Sequence, residues 1–128
     1  VRAEIGLLEQ VLINLILNAR DAILTHREQH PGAGRDDRIA LTAQPLAGDR
    51  VRIAVTDTGG GVPEALIERI FEPFFTTKPV GQGTGLGLSL SYGIVRDFGG
   101  ELRVENVAGG ARFLIDLPAA GAAPLPAG

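Results

Sequence analysis

Two stretches of strict alternation, each doubled back by a turn, limit what this chain can become. "IALTAQ" (39–44) places Ile39, Leu41 and Ala43 on one side, and "RVRIAVTD" (50–57) does the same with Val51, Ile53 and Val55, with the turn "LAGD" between them. "ELRVEN" (101–106) and "ARFLIDL" (111–117) repeat the arrangement around "VAGG". Segments of helical period separate the two hairpins. "LLEQVLINLILNARDAILT" (7–25) puts Leu8, Val11, Leu12, Leu15, Ala19, Ala22 and Ile23 on one broad face. "REQHPGAGRDDR" (27–38) reads as a polar loop, and "PEALIERIF" (63–71) as a short helix with Pro63 in its first turn. A further helix runs from about Gly85 to Phe98, stopped by Gly99 and Gly100. A hairpin of this kind buries one face, and helices are the available cover. The pattern predicts an α/β (α+β) two-layer sandwich: a mixed, mostly antiparallel sheet with three helices on one face.

The 128 residues suit one domain, expected over 1–118, followed by a Pro/Ala/Gly-rich tail (119–128) expected to be disordered. Hydrophobic residues, 45% of the chain, suffice for a packed core. With five Phe, one Tyr and no Trp, there is no stacking platform for nucleic-acid bases. A net charge of −3 with no basic run leaves nucleic acid no electrostatic footprint, so any anionic ligand must be held by local features. Absence of Cys excludes a disulfide framework and fits a reducing compartment. No apolar run approaches the ~18 residues of a membrane span, and the N-terminus does not read as a signal peptide. A chain without any methionine reads as a piece of a longer protein.

Four stretches could carry chemistry. On the first helix Gln10, Asn14, Asn18, Asp21 and Thr25 fall within an arc of roughly 80°. Asn14 and Asn18 lie one turn apart, where a solvent face would take Glu, Lys or Arg; the face is either merely exposed or a site that needs neutral oxygen donors. "DTGGGVP" (57–63) follows directly on a strand: Asp57 ends it, and the glycines let the backbone turn sharply or pass close to a flat ligand. In "FEPFFTTK" (71–78), Phe71, Phe74 and Phe75 would anchor a loop, and Lys78 is a point charge able to reach a phosphate.

The fourth stretch, "GQGTGLGLSLS" (81–91), runs glycines into a helix start. A dinucleotide fingerprint fails, because its third glycine would fall on Leu88 or Leu90, and the Gly-Lys-Ser/Thr of a P-loop is absent. The apolar periodicity of "LGLSLSYGIVRDF" excludes a linker. What remains is a glycine-rich loop at a helix N-terminus, where free N–H groups and the helix dipole hold anions, phosphate above all.

The four boxes in this order — an Asn helix, Asp-x-Gly-x-Gly, Phe-x-Pro-Phe, Gly-x-Gly-x-Gly — resemble the ATP-binding catalytic domain of sensor histidine kinases, in the superfamily shared with gyrase, Hsp90 and MutL. The resemblance covers roughly residues 5–118, and "NLILNARDAI" and "FEPFFTTK" look most like the nitrogen-regulation and dicarboxylate sensors. It implies ATP and Mg²⁺ as ligands. Asn18 would bind Mg²⁺ through its side-chain carbonyl, with Asn14 on the phosphate side and Asp21 and Arg20 flanking more loosely. Asp57 would accept from the adenine amino group, with Gly59, Gly61 and Val62 passing the base. Residues 71–84 would form a lid, within which Phe71, Thr77 and Lys78 match ATP-binding positions. Gly83, Gly85, Leu86 and Gly87 would wrap the phosphates, with Thr84 and Lys78 as helpers and Leu88 at a further ATP-binding position.

The resemblance also bears on mechanism. ATP-hydrolysing members of the superfamily carry a water-activating glutamate four residues before the metal-binding asparagine. Here that place is Asn14, and an amide accepts no proton at neutral pH. This suits a protein-histidine kinase, with Asn14, Asn18 and Lys78 as catalytic positions. The γ-phosphoryl would pass to a histidine on a separate dimerisation domain, and then indirectly to a response-regulator receiver domain, with no nucleic-acid partner and no direct membrane contact by this domain. Localisation would be cytoplasmic. His26 and His30 read as surface residues rather than phosphoacceptors. Two departures stand out: Ala111 occupies a place where the family often has Ser or Thr near the adenine, and "VRAEI" is at most a remnant of the strand that precedes the Asn helix. The alternatives are an anti-sigma-factor-like Ser/Thr kinase, which tends to lack the "FEPFFTTK" lid, and a non-catalytic nucleotide-binding module, which would lose Asn18 or Asp57.

Overall fold

The computed structural model describes residues 2–32, 37–72 and 87–118. The element order is α1 (Arg2–Gln29), β1 (Ile39–Leu46), β2 (Arg50–Asp57), a 3-10 turn (Glu64–Leu66), α2 (Gly87–Asp97), β3 (Glu101–Val107) and β4 (Gly110–Pro118). The strands form one sheet in the order β1-β2-β4-β3, and every described pairing is antiparallel rather than mixed.

The period-2 pattern fixes the register. Val51, Ile53 and Val55 of β2 lie opposite Leu117, Ile115 and Phe113 of β4, and Leu102 and Val104 of β3 lie opposite Ile115 and Phe113. These side chains meet Val11, Leu15 and Ala19 of α1 and Val95 of α2, so the core lies between the sheet and the two helices. Burying a full-sized aliphatic side chain in such a layer is worth about 1.5–3 kcal/mol. The central pair β2–β4 therefore holds the site that β2 terminates.

Four boundaries differ from the pattern-based reading. α1 begins at Arg2, so residues 2–5 are helical and not a strand remnant, and it ends at Gln29, inside the expected loop. Arg27, Glu28 and Gln29 are good helix formers, and the first breaker is Pro31. β1 extends through Pro45, which an edge strand tolerates because one of its sides pairs with no other described strand. The expected helix 63–71 shrinks to the 3-10 turn and following turns. Its bonds are mostly of the i→i+3 type, Leu66 N–H to Pro63 O at 2.8 Å and Arg69 N–H to Leu66 O at 2.9 Å. So short a segment does not repay α-helix nucleation. Among the described residues the helical layer thus holds two α-helices and this turn in place of three helices. α2 closes as expected: Gly99 N–H bonds Arg96 O at 2.9 Å and Gly100 N–H bonds Val95 O at 3.0 Å, the two bonds of a Schellman motif.

Candidate functional site

The site is built where β2 ends against α1. Asp57 is the last residue of β2, directed to the helix side, and is only 3% exposed. Burial pushes its carboxyl above the ordinary carboxylate range, and N–H groups donated by Gly59 and Ala111 partly offset this. The Gly59 bond is 2.8 Å long. Ala111 thus contributes through its backbone at a position where a hydroxyl side chain was expected from the family.

Residues 58–62 form a turn tied on three sides. Gly59 sits against α1 so closely that a Cβ would fall 2.7 Å from the Ala22 carbonyl carbon. Gly60 and Gly61 have φ of +90° and +85°, values that side-chain-bearing residues rarely adopt. Gly60 N–H bonds Gly109 O at 3.1 Å in the β3–β4 turn. Arg38 N–H bonds Thr58 Oγ1 at 3.0 Å. At the exit, Asn106 of β3 accepts from Val62 N–H through Oδ1 and donates from Nδ2 to Val62 O, both at 2.7 Å. In this arrangement Gly59 and Gly61 serve close approach to α1 and to Asn106.

On α1, Asn14, Asn18 and Asp21 are half-buried, whereas Gln10 and Thr25 are exposed. Asn14 Nδ2 donates to Ser91 Oγ at 3.3 Å, joining α1 to α2. Ser91 is fully buried, and this contact was not legible in the sequence, because a serine on an apolar helix pattern carries no sign of its partner. Asp21 pairs loosely with Arg20 at 3.4 Å. Phe71 is half-buried, stacked on Tyr92 with centroids 5.3 Å apart and edge-on to Phe113 at 6.2 Å, so it anchors its segment to the core as expected. Gly87 opens α2 exposed to solvent, and Leu88 packs half-buried against the core. Phe74, Phe75, Thr77, Lys78, Gly83, Thr84, Gly85 and Leu86 lie outside the described residues, as do most of the lid and the tail 119–128.

The histidines differ from the surface reading in one respect. His30 is exposed just beyond α1, but His26 is half-buried inside it, its ring against Gly60 and 4.3 Å from that of His30. Asn106 was read only as a strand residue. Its signal was its type, since Asn is depleted in strands.

Fold and site together define a two-layer α/β domain with a buried carboxylate and a glycine turn where a central strand ends. The family model described as histidine kinase-, DNA gyrase B- and HSP90-like ATPase matches residues 3–121. The two-component sensor PprA of Pseudomonas aeruginosa is 50% identical over 100% of this chain, which spans 13% of that protein. The catalytic domain of histidine kinase ThkA, solved nucleotide-free, superposes with a TM-score of 0.71 at 39% identity, covering 88% of this chain and 66% of that one. Full-length ShkA in complex with AMPPNP gives 0.66 at 34% identity, covering 94% of this chain and 23% of that one. The chain belongs to this ATPase family, and over its length it is similar to the catalytic domains of sensor histidine kinases. It corresponds to a small part of its curated relatives.

Proposed function

We propose that this domain binds Mg²⁺–ATP between α1, the 57–62 turn and the start of α2, and passes the γ-phosphoryl to a histidine on a separate dimerisation domain. The observation that carries the reading is Asp57: a buried carboxylate at a strand end, its orientation held by two backbone N–H groups. An acceptor so placed suits the exocyclic amine of adenine, and a site built to accept that bond rejects bases lacking it. Gly59, Gly61 and Val62 would border the base, and Phe71 would lie at the root of the lid.

The donor set fits Mg²⁺. No group of three or more His, Cys, Asp or Glu gathers among the described residues, so these offer no carboxylate cage. Asn18, half-buried one turn from Asn14, offers a single amide oxygen, which suits a hard cation whose remaining ligands are phosphates and waters. When bound, the ion neutralises charge on the phosphoryl oxygens. Asn14 positions and does not deprotonate, its amide donating toward Ser91. With no general base at that place, water is a poor acceptor, and a histidine nucleophile brought in by another domain takes the phosphoryl group. Lys78 and residues 83–88 would hold the phosphates.

The phosphoacceptor domain, a response-regulator receiver downstream of it and a cytoplasmic location complete the reading. No helix of the described residues is long and apolar enough to cross a membrane. The test is transfer of labelled γ-phosphate to a supplied histidine-containing dimerisation domain. Transfer that needs Mg²⁺, stops with a chelator and fails in Asn18→Asp is expected. Equal transfer by Asn18→Asp would remove the metal assignment, and ATP turned over only to free phosphate would contradict the kinase reading.

A further inference from the structure

The turn between Asp57 and Val62 has three consecutive glycines, two of them at positive φ. Such a sequence has more backbone freedom to lose than any other, so a ligand that needs one arrangement must find it already held. The strand end at Asp57 holds the entry. The exit has no strand of its own, since residues 58–63 lie outside regular structure.

What holds the exit is Asn106. Its carboxamide engages both backbone groups of Val62 at 2.7 Å, an acceptor for the N–H and a donor for the C=O, across 44 residues of sequence. That is the pair of bonds a neighbouring strand residue would give. An aliphatic residue supplies neither bond, and a carboxylate only the acceptor. Asn106 also lies opposite Ala111 in the β3–β4 ladder, and the Ala111 N–H donates to the Asp57 carboxylate. With Gly109 O on Gly60 N–H, one hairpin end holds the turn at its entry, middle and exit. Gly61 packs against the same carboxamide, a Cβ there falling 2.9 Å from Asn106 Oδ1.

We propose that Asn106 is a positioning residue for nucleotide binding, acting through Val62 to hold the Asp57–Val62 turn in its binding-competent form. This rests on the assignment of Asp57 to the adenine. Loss of the carboxamide lowers the fraction of molecules with a competent turn, and the apparent Kd rises by the inverse of that fraction. Once nucleotide is bound the turn is held by the ligand, so KM for ATP rises while kcat stays.

The experiment titrates the full chain with Mg²⁺–AMPPNP by calorimetry, for wild type, Asn106→Ala, Asn106→Asp and Asp57→Asn. Thermal midpoints and hydrogen exchange at the Val62 amide are followed in parallel. Asn106→Ala is expected to weaken binding about five- to tenfold, the size of one or two exposed hydrogen bonds. Its Val62 amide should exchange faster, with the midpoint nearly unchanged. Asn106→Asp keeps the acceptor and loses the donor, and should fall between. In a phosphotransfer assay with supplied acceptor domain, Asn106→Ala should show the raised KM with retained kcat. Wild-type affinity in Asn106→Ala, or equal falls in kcat and thermal midpoint with no change in Kd, would overturn the proposal. Undiminished affinity in Asp57→Asn would instead remove the adenine assignment beneath it.

Discussion

Asp57 combines two opposed demands. Its carboxyl is raised above the ordinary value by burial, so the ionised form is costlier in the folded chain than in the unfolded one. The sign follows: the penalty is full above the folded pKa and vanishes below the unfolded one. Asp57→Asn should therefore leave the thermal midpoint at pH 7 equal to or above wild type, with the advantage fading as pH falls toward 4. A midpoint well below wild type at pH 7 would show the carboxylate to be structurally required. Because only the ionised group accepts at both oxygens, wild-type affinity for adenine nucleotide should weaken on acidification at a higher pH than an ordinary Asp would dictate. Titrations across pH 4–8 check this. At Asn14 the amide donates to Ser91 and takes no proton. Asn14→Glu places a carboxylate there and should raise hydrolysis of ATP to free phosphate, toward the ~10²-fold that a positioned general base supplies. Flat hydrolysis in a phosphate-release assay would mean that water is not held near this position.

At the scale of elements, the site depends on backbones meeting without side chains between them. A Cβ on Gly110 would overlap the Asp57 carbonyl, and one on Gly59 would meet the Ala22 main chain. Neither neighbour can rotate away, so Gly59→Ala and Gly110→Ala should each cost about 1–3 kcal/mol, the range for overpacking, read by denaturant titration. The sheet face turned away from α1 and α2 has its own fastening. Asp116 of β4 accepts from Arg52 Nε at 2.7 Å and Nη2 at 2.9 Å, and from Arg103 Nη2 at 3.2 Å. The Arg52 hydrogen bonds chiefly, aided by Arg103, hold the Asp116 carboxyl below its usual range. A lowered pKa stabilises above the unfolded value and is lost as pH falls through the folded one. Asp116→Asn should lower the midpoint at pH 7 by about 5 °C and differ little from wild type at pH 2. These interactions join β2, β3 and β4 far from the glycine turn, so nucleotide affinity should be unaffected at temperatures where the fold persists.

For the molecule as a whole, the strands and helix faces were legible because each rests on local periodicity. β2 runs over Arg50–Asp57 as its alternation indicates, and Val11, Leu15, Ala19 and Ile23 form the buried side of α1. Boundaries that depend on the absence of a signal were less legible. Arg27, Glu28 and Gln29 continue α1 because nothing stops them before Pro31, and 63–71 fails as an α-helix because its length is marginal. At the site, Asp57 and the carboxamides stood out by residue type and place. The partners Asn106 and Ser91 did not, since pairings across 44 and 77 residues are products of the tertiary fold. The sheet order that brings β3 and β4 alongside the end of β2 makes them neighbours of the turn.

The measurement that bears most directly on the account is calorimetric titration of the chain with Mg²⁺–AMPPNP, set beside the same titration of Asp57→Asn and of wild type with the guanine counterpart. The account predicts a single saturable site in wild type, with affinity reduced about a hundredfold or more both by the substitution and by the change of base. Equal heats and affinities for all three would place the nucleotide away from the end of β2 and contradict it.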